Sequence, residues 1–278
     1  MKTILIPTDF SSNSLHAIKY AITLFKDTPC NFYVLHVEPL SASGIVGNSF
    51  PLPSIKPTKV YKGSLSDYFT LISQLSSSRE HHFIALHEYG NLVNIIRQTV
   101  VDKKIDLIVM GNKGASGIKN VIIGSNTGDV ITKVHCNLLV IPEKAKVAAP
   151  KEIVFATDYN NFFSHSILEA ISKMLRLCKA NLKVLDVSKD NSSLNLSQKQ
   201  NKNYLQDYLE ELYHNSHSMH NIKNEKVKTG IEKFVAAHNI DLVIMVAKNL
   251  NFLQQLLFDS TIKKLSFHTT VPLLVLHE

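Results

Sequence analysis

The chain has no tryptophan, only three cysteines and ten glycines, and no apolar run near the ~18 residues that crossing a membrane requires. Each shortage excludes something. The short apolar runs exclude a helical membrane span. Cys30, Cys136 and Cys178 are odd in number and far apart, which fits reduced thiols and not a disulfide framework. The opening MKTILIPTDF has four apolar residues before Pro7, too few for a signal-peptide core, so a cytoplasmic location is expected. The formal charge is +7, but no run of five or six lysines concentrates it. A solvated surface accounts for it, and no specific nucleic-acid partner and no membrane partner is expected. Gly-x-Ser-x-Gly and His-Glu-x-x-His are also missing, which removes support for those hydrolase chemistries. The cysteines lack a Cys-x-x-Cys partner. His214, His217 and His220 share a spacing of three, but the stretch HNSHSMHN is poor helix material and runs into a strand, where odd and even positions diverge. No metal-ligand set is assigned, and His81-His82 reads as a surface pair at a strand entrance.

What is present alternates. Thr3–Pro7 is a short apolar run followed by capping residues at Asp9–Ser12, and Leu15, Ile18, Ala21, Ile22 and Phe25 then recur at helical spacing. Strands are read at Phe32–Val37, Phe83–His87, Ile105–Met110 and Leu138–Ile141, with helices over Tyr61–Ser77, Asn91–Lys104 and a run beginning near Ser125. Ser41–Lys59, rich in Ser, Gly and Pro, is not expected to be regular. Strands that are apolar throughout and separated by helices imply a parallel sheet covered on both faces.

The unit occurs twice. KEIVFATDY (151–159) repeats KTILIPTDF (2–10) at an offset of 149, and VLDV (184–187) repeats VLHV (34–37) at an offset of 150. Asp241–Glu278 aligns without a gap on Asp106–Glu143 at an offset of 135, with nine identical positions. The smaller offset places a deletion in the second copy's counterpart of the Pro/Gly-rich loop. Pro142–Pro150, PEKAKVAAP, reads as a linker. The division is a domain over 1–143, a linker over 144–150 and a second domain over 151–278.

Four of the ten glycines fall in GNKGASGIKNVIIGSN (111–126), between a strand and a helix. In an open parallel sheet, ligands bind beyond the carboxyl ends of the strands, and bare backbone N–H groups at a helix start suit phosphate oxygens. A loop chosen for turn chemistry alone is the competing reading. No Gly-Lys pair exists for a P-loop and no Gly-x-Gly for a dinucleotide fingerprint. The spacing present is Gly111-x2-Gly114-x9-Gly124-Ser125-Asn126.

With the strand ending Pro-Thr-Asp-Phe-Ser, the Asp-Leu-Ile-Val-Met-Gly strand and the closing Asn-Leu-Leu-Val-Ile-Pro strand, this pattern resembles the ATP-binding branch of the universal stress protein family, over both halves. The resemblance implies two tandem α/β Rossmann-like domains, each a five-stranded parallel sheet with helices on both faces. It implies an adenine nucleotide (ATP, ADP or AMP), with Mg2+ for the triphosphate. Pro7, Thr8 and Asp9 would lie beside the adenosine, Val37 would offer backbone bonds to the adenine edge, and Met110 and Gly111 would line the ribose. Gly114, Gly124, Ser125 and Asn126 would cradle the phosphates, and Lys113 or Lys119 would reach them as a point charge. No catalytic residue is assigned. The implied protein is regulatory, non-catalytic or a very slow ATPase, against the alternatives of a nucleotide-using enzyme of this architecture or a nucleotide-free interaction module. In the second copy Gly111, Gly114 and Gly124 of the glycine motif become Val246, Asn249 and Asp259, while Ser125 is kept as Ser260, and Pro7 becomes Ala156. That half is expected to have lost the nucleotide and to act as a built-in dimer partner, since family members pair through their last strand. A homodimer of the whole chain is a further partner to test.

Overall fold

A computed structural model of the chain describes residues 1–39, 65–112, 124–187, 194–213, 215–223, 225–248, 258–259, 262–265 and 270–278. In the first half the order is β1 (Lys2–Pro7), α1 (Ser12–Leu24), β2 (Cys30–Glu38), α2 (Leu65–Ser73), β3 (His81–Tyr89), α3 (Leu92–Asp102), β4 (Leu107–Gly111), α4 (Ser125–Lys133) and β5 (Leu138–Ile141). The second half follows as β6 (Glu152–Thr157), α5 (His165–Cys178), β7 (Asn181–Val187), α6 (Leu196–Tyr213), β8 (His217–Ile222), α7 (Val227–Ala237), β9 (Leu242–Val246), a short hairpin of β10 (Phe258–Asp259) and β11 (Ile262–Leu265), and β12 (Leu273–Leu276). The expected loop over Ser41–Lys59 lies outside the described residues, as does the start of the helix expected from Tyr61.

Ten strands form one sheet in the order β3-β2-β1-β4-β5-β12-β9-β6-β7-β8. Among the described residues, pairing in this sheet is parallel within each half and antiparallel only where β5 meets β12, with Leu139 opposite Leu274 and Leu138 opposite Val275. Each strand at this junction is buried along its whole length, and a fully buried leucine contributes about 2 kcal/mol of apolar burial. Asn137 crosses the junction too, its Oδ1 accepting the His277 N–H at 2.9 Å.

One face of the sheet is packed by α1, α2, α5 and α6, the other by α3, α4 and α7. Within the first half, the crossovers from β1 therefore run over one face and those around β4 over the other, so the reversal falls between β1 and β4. Equivalent carboxylates tie down both halves: Asp106 Oδ2 accepts from the Thr3 N–H at 2.8 Å, and Asp241 Oδ2 from those of Lys151 and Glu152 at 2.8 and 3.1 Å. That contact accounts for the Asp at the head of the repeated strand.

The three cysteines are free and buried, and burial pushes their thiols up, to about 11 for Cys30 and about 12 for Cys136 and Cys178. His81 departs from the surface pair read in the sequence. It is buried, with Nε2 3.0 Å from the Phe25 carbonyl and Nδ1 2.7 Å from Ser76 Oγ, so it fastens the α1 end to the start of β3. His217 and His220 do diverge: His217 Nδ1 donates to the Tyr213 carbonyl of α6 at 2.9 Å, while His220 packs on Phe234 of α7. Among the described residues, no helix is long and apolar enough to cross a membrane.

Candidate functional site

A cavity of about 380 Å³ opens at the carboxyl ends of β1, β2 and β4, at the reversal point. Its lining includes Pro7 of β1, Thr8 and Asp9 of the turn after it, Val37 of β2, and Met110 and Gly111 of β4. Gly124, Ser125 and Asn126, at the start of α4, close it from the other side. Lys113, Gly114 and Lys119 lie outside the described residues. The structure thus brings nine of the twelve sequence-selected positions to one cavity.

The β1–α1 turn shows what Thr-Asp does locally. Phe10 adopts φ 60°, a left-handed conformation that costs a non-glycine residue free energy. Thr8 Oγ1 accepts the Phe10 N–H at 3.1 Å and also meets Ser14 Oγ at 3.0 Å and Tyr68 OH at 3.2 Å. Asp9 Oδ1 accepts the Ser11 N–H at 3.1 Å, and Ser11 is the N-cap of α1. The second half repeats the device. Tyr159 has φ 57°, its N–H bonds Thr157 Oγ1 at 3.1 Å, and Asn160 bonds Asp158 Oδ1 at 3.1 Å. Recurrence of Thr-Asp is therefore explained by the turn, whatever either half binds.

Gly111 has a similar local cause. A Cβ there would come within 2.7 Å of Asn13 Nδ2, because α1 presses on the end of β4. Val246 occupies the matching place in the second half, where α5 begins only at His165. The position matching Asn13 there is Phe162, which turns outward and stacks on Tyr204 with centroids 4.9 Å apart.

Helix α4 begins at the cavity with no side-chain cap and no acidic residue in its first turn. Gly124 donates its N–H to the Asn112 carbonyl at 2.6 Å, and Thr127 Oγ1 donates to the Gly111 carbonyl at 2.9 Å. Those two bonds fix the helix start on the end of β4. The N–H groups of Ser125 and Asn126 have no intrahelical acceptor, so this end carries the helix's partial positive charge. Asp129 also reaches the lining, with its carboxylate paired to Lys133 at 2.7 Å.

On the opposite wall, β1 stops pairing with β2 at Pro7–Leu35, while β2 continues alongside β3 to Glu38. Val37 has no β1 neighbour, which leaves backbone on that side for a ligand's hydrogen-bonding edge. His36, Gly90 and Asn91 join the lining and were not selected from the sequence. Gly90 has φ +142° and donates to the Glu38 carbonyl at 2.8 Å, and Asn91 caps α3 by accepting from Val93 and Asn94. A Gly-Asn pair before an apolar helical run is the signal that marks such a turn.

The equivalent place in the second half, bounded by Ala156, Asp158, Phe162 and Val246, holds about 20 Å³ among the described residues. Gln198 of α6 covers the turn there, donating to the Asp158 carbonyl at 2.9 Å. The downstream stretch also differs. Where the aligned segment of the first half is helix α4, the second has the antiparallel hairpin of β10 and β11.

The family model described as "Universal stress protein family" matches residues 1–142 and again 150–277. A curated universal stress protein of Methanocaldococcus jannaschii is 31% identical over 149 residues, which cover 52% of this chain and 84% of that one. A crystal structure of a universal stress protein from Archaeoglobus fulgidus superposes with a TM-score of 0.68 at 19% identity, covering 99% of this chain and 96% of the other. A putative universal stress protein from Pseudomonas aeruginosa gives 0.60 at 12% identity, over 99% and 93%. The tandem α/β fold, the doubled family match and the cavity at the reversal point agree: this chain belongs to the universal stress protein family, with the family unit present twice.

Proposed function

We propose that the first half binds one adenine nucleotide in the cavity at the carboxyl edge of its sheet, and that the second half binds none. One observation carries the reading: the uncapped, acid-free start of α4 lines a cavity of about 380 Å³, within the usual size range of small-ligand sites. In this reading the Ser125 and Asn126 N–H groups and the Ser125 hydroxyl meet phosphate, with Lys113, Gly114 and the rest of that loop completing the cradle. Met110 and Gly111 flank the ribose, and the edge of Val37 meets the base. Mg2+ would be held by phosphate oxygens and water, with few protein ligands.

Domain boundaries at 143 and 151 fit this reading, with the second domain serving as the partner of the first across the β5–β12 junction. Because Thr8 and Asp9 are engaged in holding the turn, we read the protein as a regulatory, stress-response binding protein of the cytoplasm with at most slow ATP hydrolysis. A ligand bound only by the folded chain stabilises it, by about 2.7 kcal/mol at a hundred times its Kd. ATP, ADP or AMP should therefore raise the melting temperature of nucleotide-stripped protein by several degrees. No shift with any of the three at millimolar concentration would contradict the proposal.

A further inference from the structure

Beside the cavity, three side chains converge that the nucleotide reading does not use. Parallel pairing of β2 and β3 sets His36 beside His87, and the two-residue period of a strand returns Glu38 to the face that carries His36. Glu38 Oε1 lies 3.1 Å from His87 Nε2 and 3.9 Å from His36 Nε2. The nearest ligand-type atoms of the three all lie within 4.8 Å of one another. Two ligands at about 2.1 Å from a tetrahedral ion stand about 3.4 Å apart, so a small inward rotation closes the triangle.

The tautomer of His36 is set by the fold. Its Nδ1 lies 3.0 Å from the Thr8 carbonyl, an acceptor only, so Nδ1 carries the proton. Nε2, the nitrogen not tied to the backbone, is the one that faces the Glu38 carboxylate. A backbone carbonyl fixing the far nitrogen is also the arrangement that orients metal-binding histidines. Ring contacts hold the group in place: Phe10 packs on His36 at 4.3 Å and Tyr89 on His87 at 5.0 Å.

The second half resolves the same two positions differently. Asp186 and Asn221 pair across β7 and β8 in the register of His36 and His87, and Asn221 Nδ2 donates directly to Asp186 Oδ2 at 2.7 Å. There the cross-strand pair is complete in itself. In the first half it is two imidazoles and a carboxylate.

We propose that His36, Glu38 and His87 bind a divalent transition-metal ion of the zinc class at the rim of the cavity. Water or a ligand oxygen would complete the coordination. Imidazole with one carboxylate suits Zn2+, Co2+ or Ni2+, whereas Mg2+ takes oxygen ligands and sheds its waters reluctantly. The site is distinct from any Mg2+ carried by a nucleotide, and it leaves an open position.

The test uses full-length, chelator-stripped protein without nucleotide, titrated with Zn2+ and separately with Co2+. One ion per chain is expected, with Co2+ giving the intense visible absorption of a tetrahedral site, unchanged by excess Mg2+. His87 and Glu38 side chains are 35% and 48% exposed, so His87→Gln and Glu38→Gln should fold normally, as melting would verify. Each should weaken Zn2+ binding at least about tenfold, the loss that even outer partners of a metal ligand produce. With 13 histidines in the chain, weak background binding is expected, and these variants separate it from the site. If the wild type takes up no stoichiometric ion, or if either variant binds Zn2+ as tightly as wild type, the three residues form a surface hydrogen-bonded group and the proposal is overturned.

Discussion

Gly124→Asp should abolish ATP binding, by at least a hundredfold in Kd, while the unliganded protein melts at or above the wild-type temperature. The substitution copies Asp259 of the second half. Gly124 has φ −65° and ψ 157°, an ordinary extended conformation that aspartate adopts without strain. It is also the N-cap of α4, where aspartate is a favoured residue and its charge complements the helix dipole. The fold therefore gains or is unaffected. A phosphate at the same helix start meets that carboxylate, and two unit charges about 4 Å apart cost about 4 kcal/mol at an effective dielectric of 20. A hundredfold loss needs only about 2.7 kcal/mol. Opposite signs on stability and binding make the result specific. If ATP still raised the melting temperature of the variant, the phosphates would have to lie elsewhere.

Residues 1–145 expressed alone should self-associate, whereas the full chain hides the surface responsible. In the full chain, the edge of β5 is covered by β12, and Leu138, Leu139, Val140 and Ile141 are all buried. Cutting the chain leaves an apolar strand with an unpaired row of backbone groups, a template for pairing with another copy. The antiparallel register of Leu139 with Leu274 shows that this edge accepts a partner of its own kind, since β12 repeats the Leu-Leu-Val of β5. Sedimentation should give a dimer or larger species at micromolar concentration. A folded monomer under those conditions would mean that the junction holds the chain together without needing cover.

Much of this was legible in the sequence because apolar runs and repeats are direct consequences of burial. Leu107–Gly111 and Leu138–Ile141 are strands because both faces of a parallel sheet are covered, and their apolar character is continuous. The carboxyl edge was legible from glycine spacing, yet the local reasons were not. Gly111 is bare because Asn13 approaches it from another element, a contact that no spacing reveals. Thr8 and Asp9 read in the sequence as ligand contacts, with a helix cap as the alternative, and only the φ values of Phe10 and Tyr159 show the turn in both halves. His36 and His87 are 51 positions apart and become neighbours through strand register alone. His81 looked exposed because histidine pairs usually are. Its burial follows from the two partners that other segments bring to its ring, the Phe25 carbonyl at the end of α1 and Ser76 Oγ. In the last stretch the two halves align without a gap, but one folds as helix α4 and the other as a hairpin, so aligned sequence did not guarantee aligned structure.

We propose that duplication kept two copies of the fold and one copy of the site. Calorimetric titration of nucleotide-stripped full-length protein with ATP tests it most directly. A single class of site at one ATP per chain, lost in Gly124→Asp, is the expected result. Two equivalent sites per chain, or undiminished binding in that variant, would contradict it.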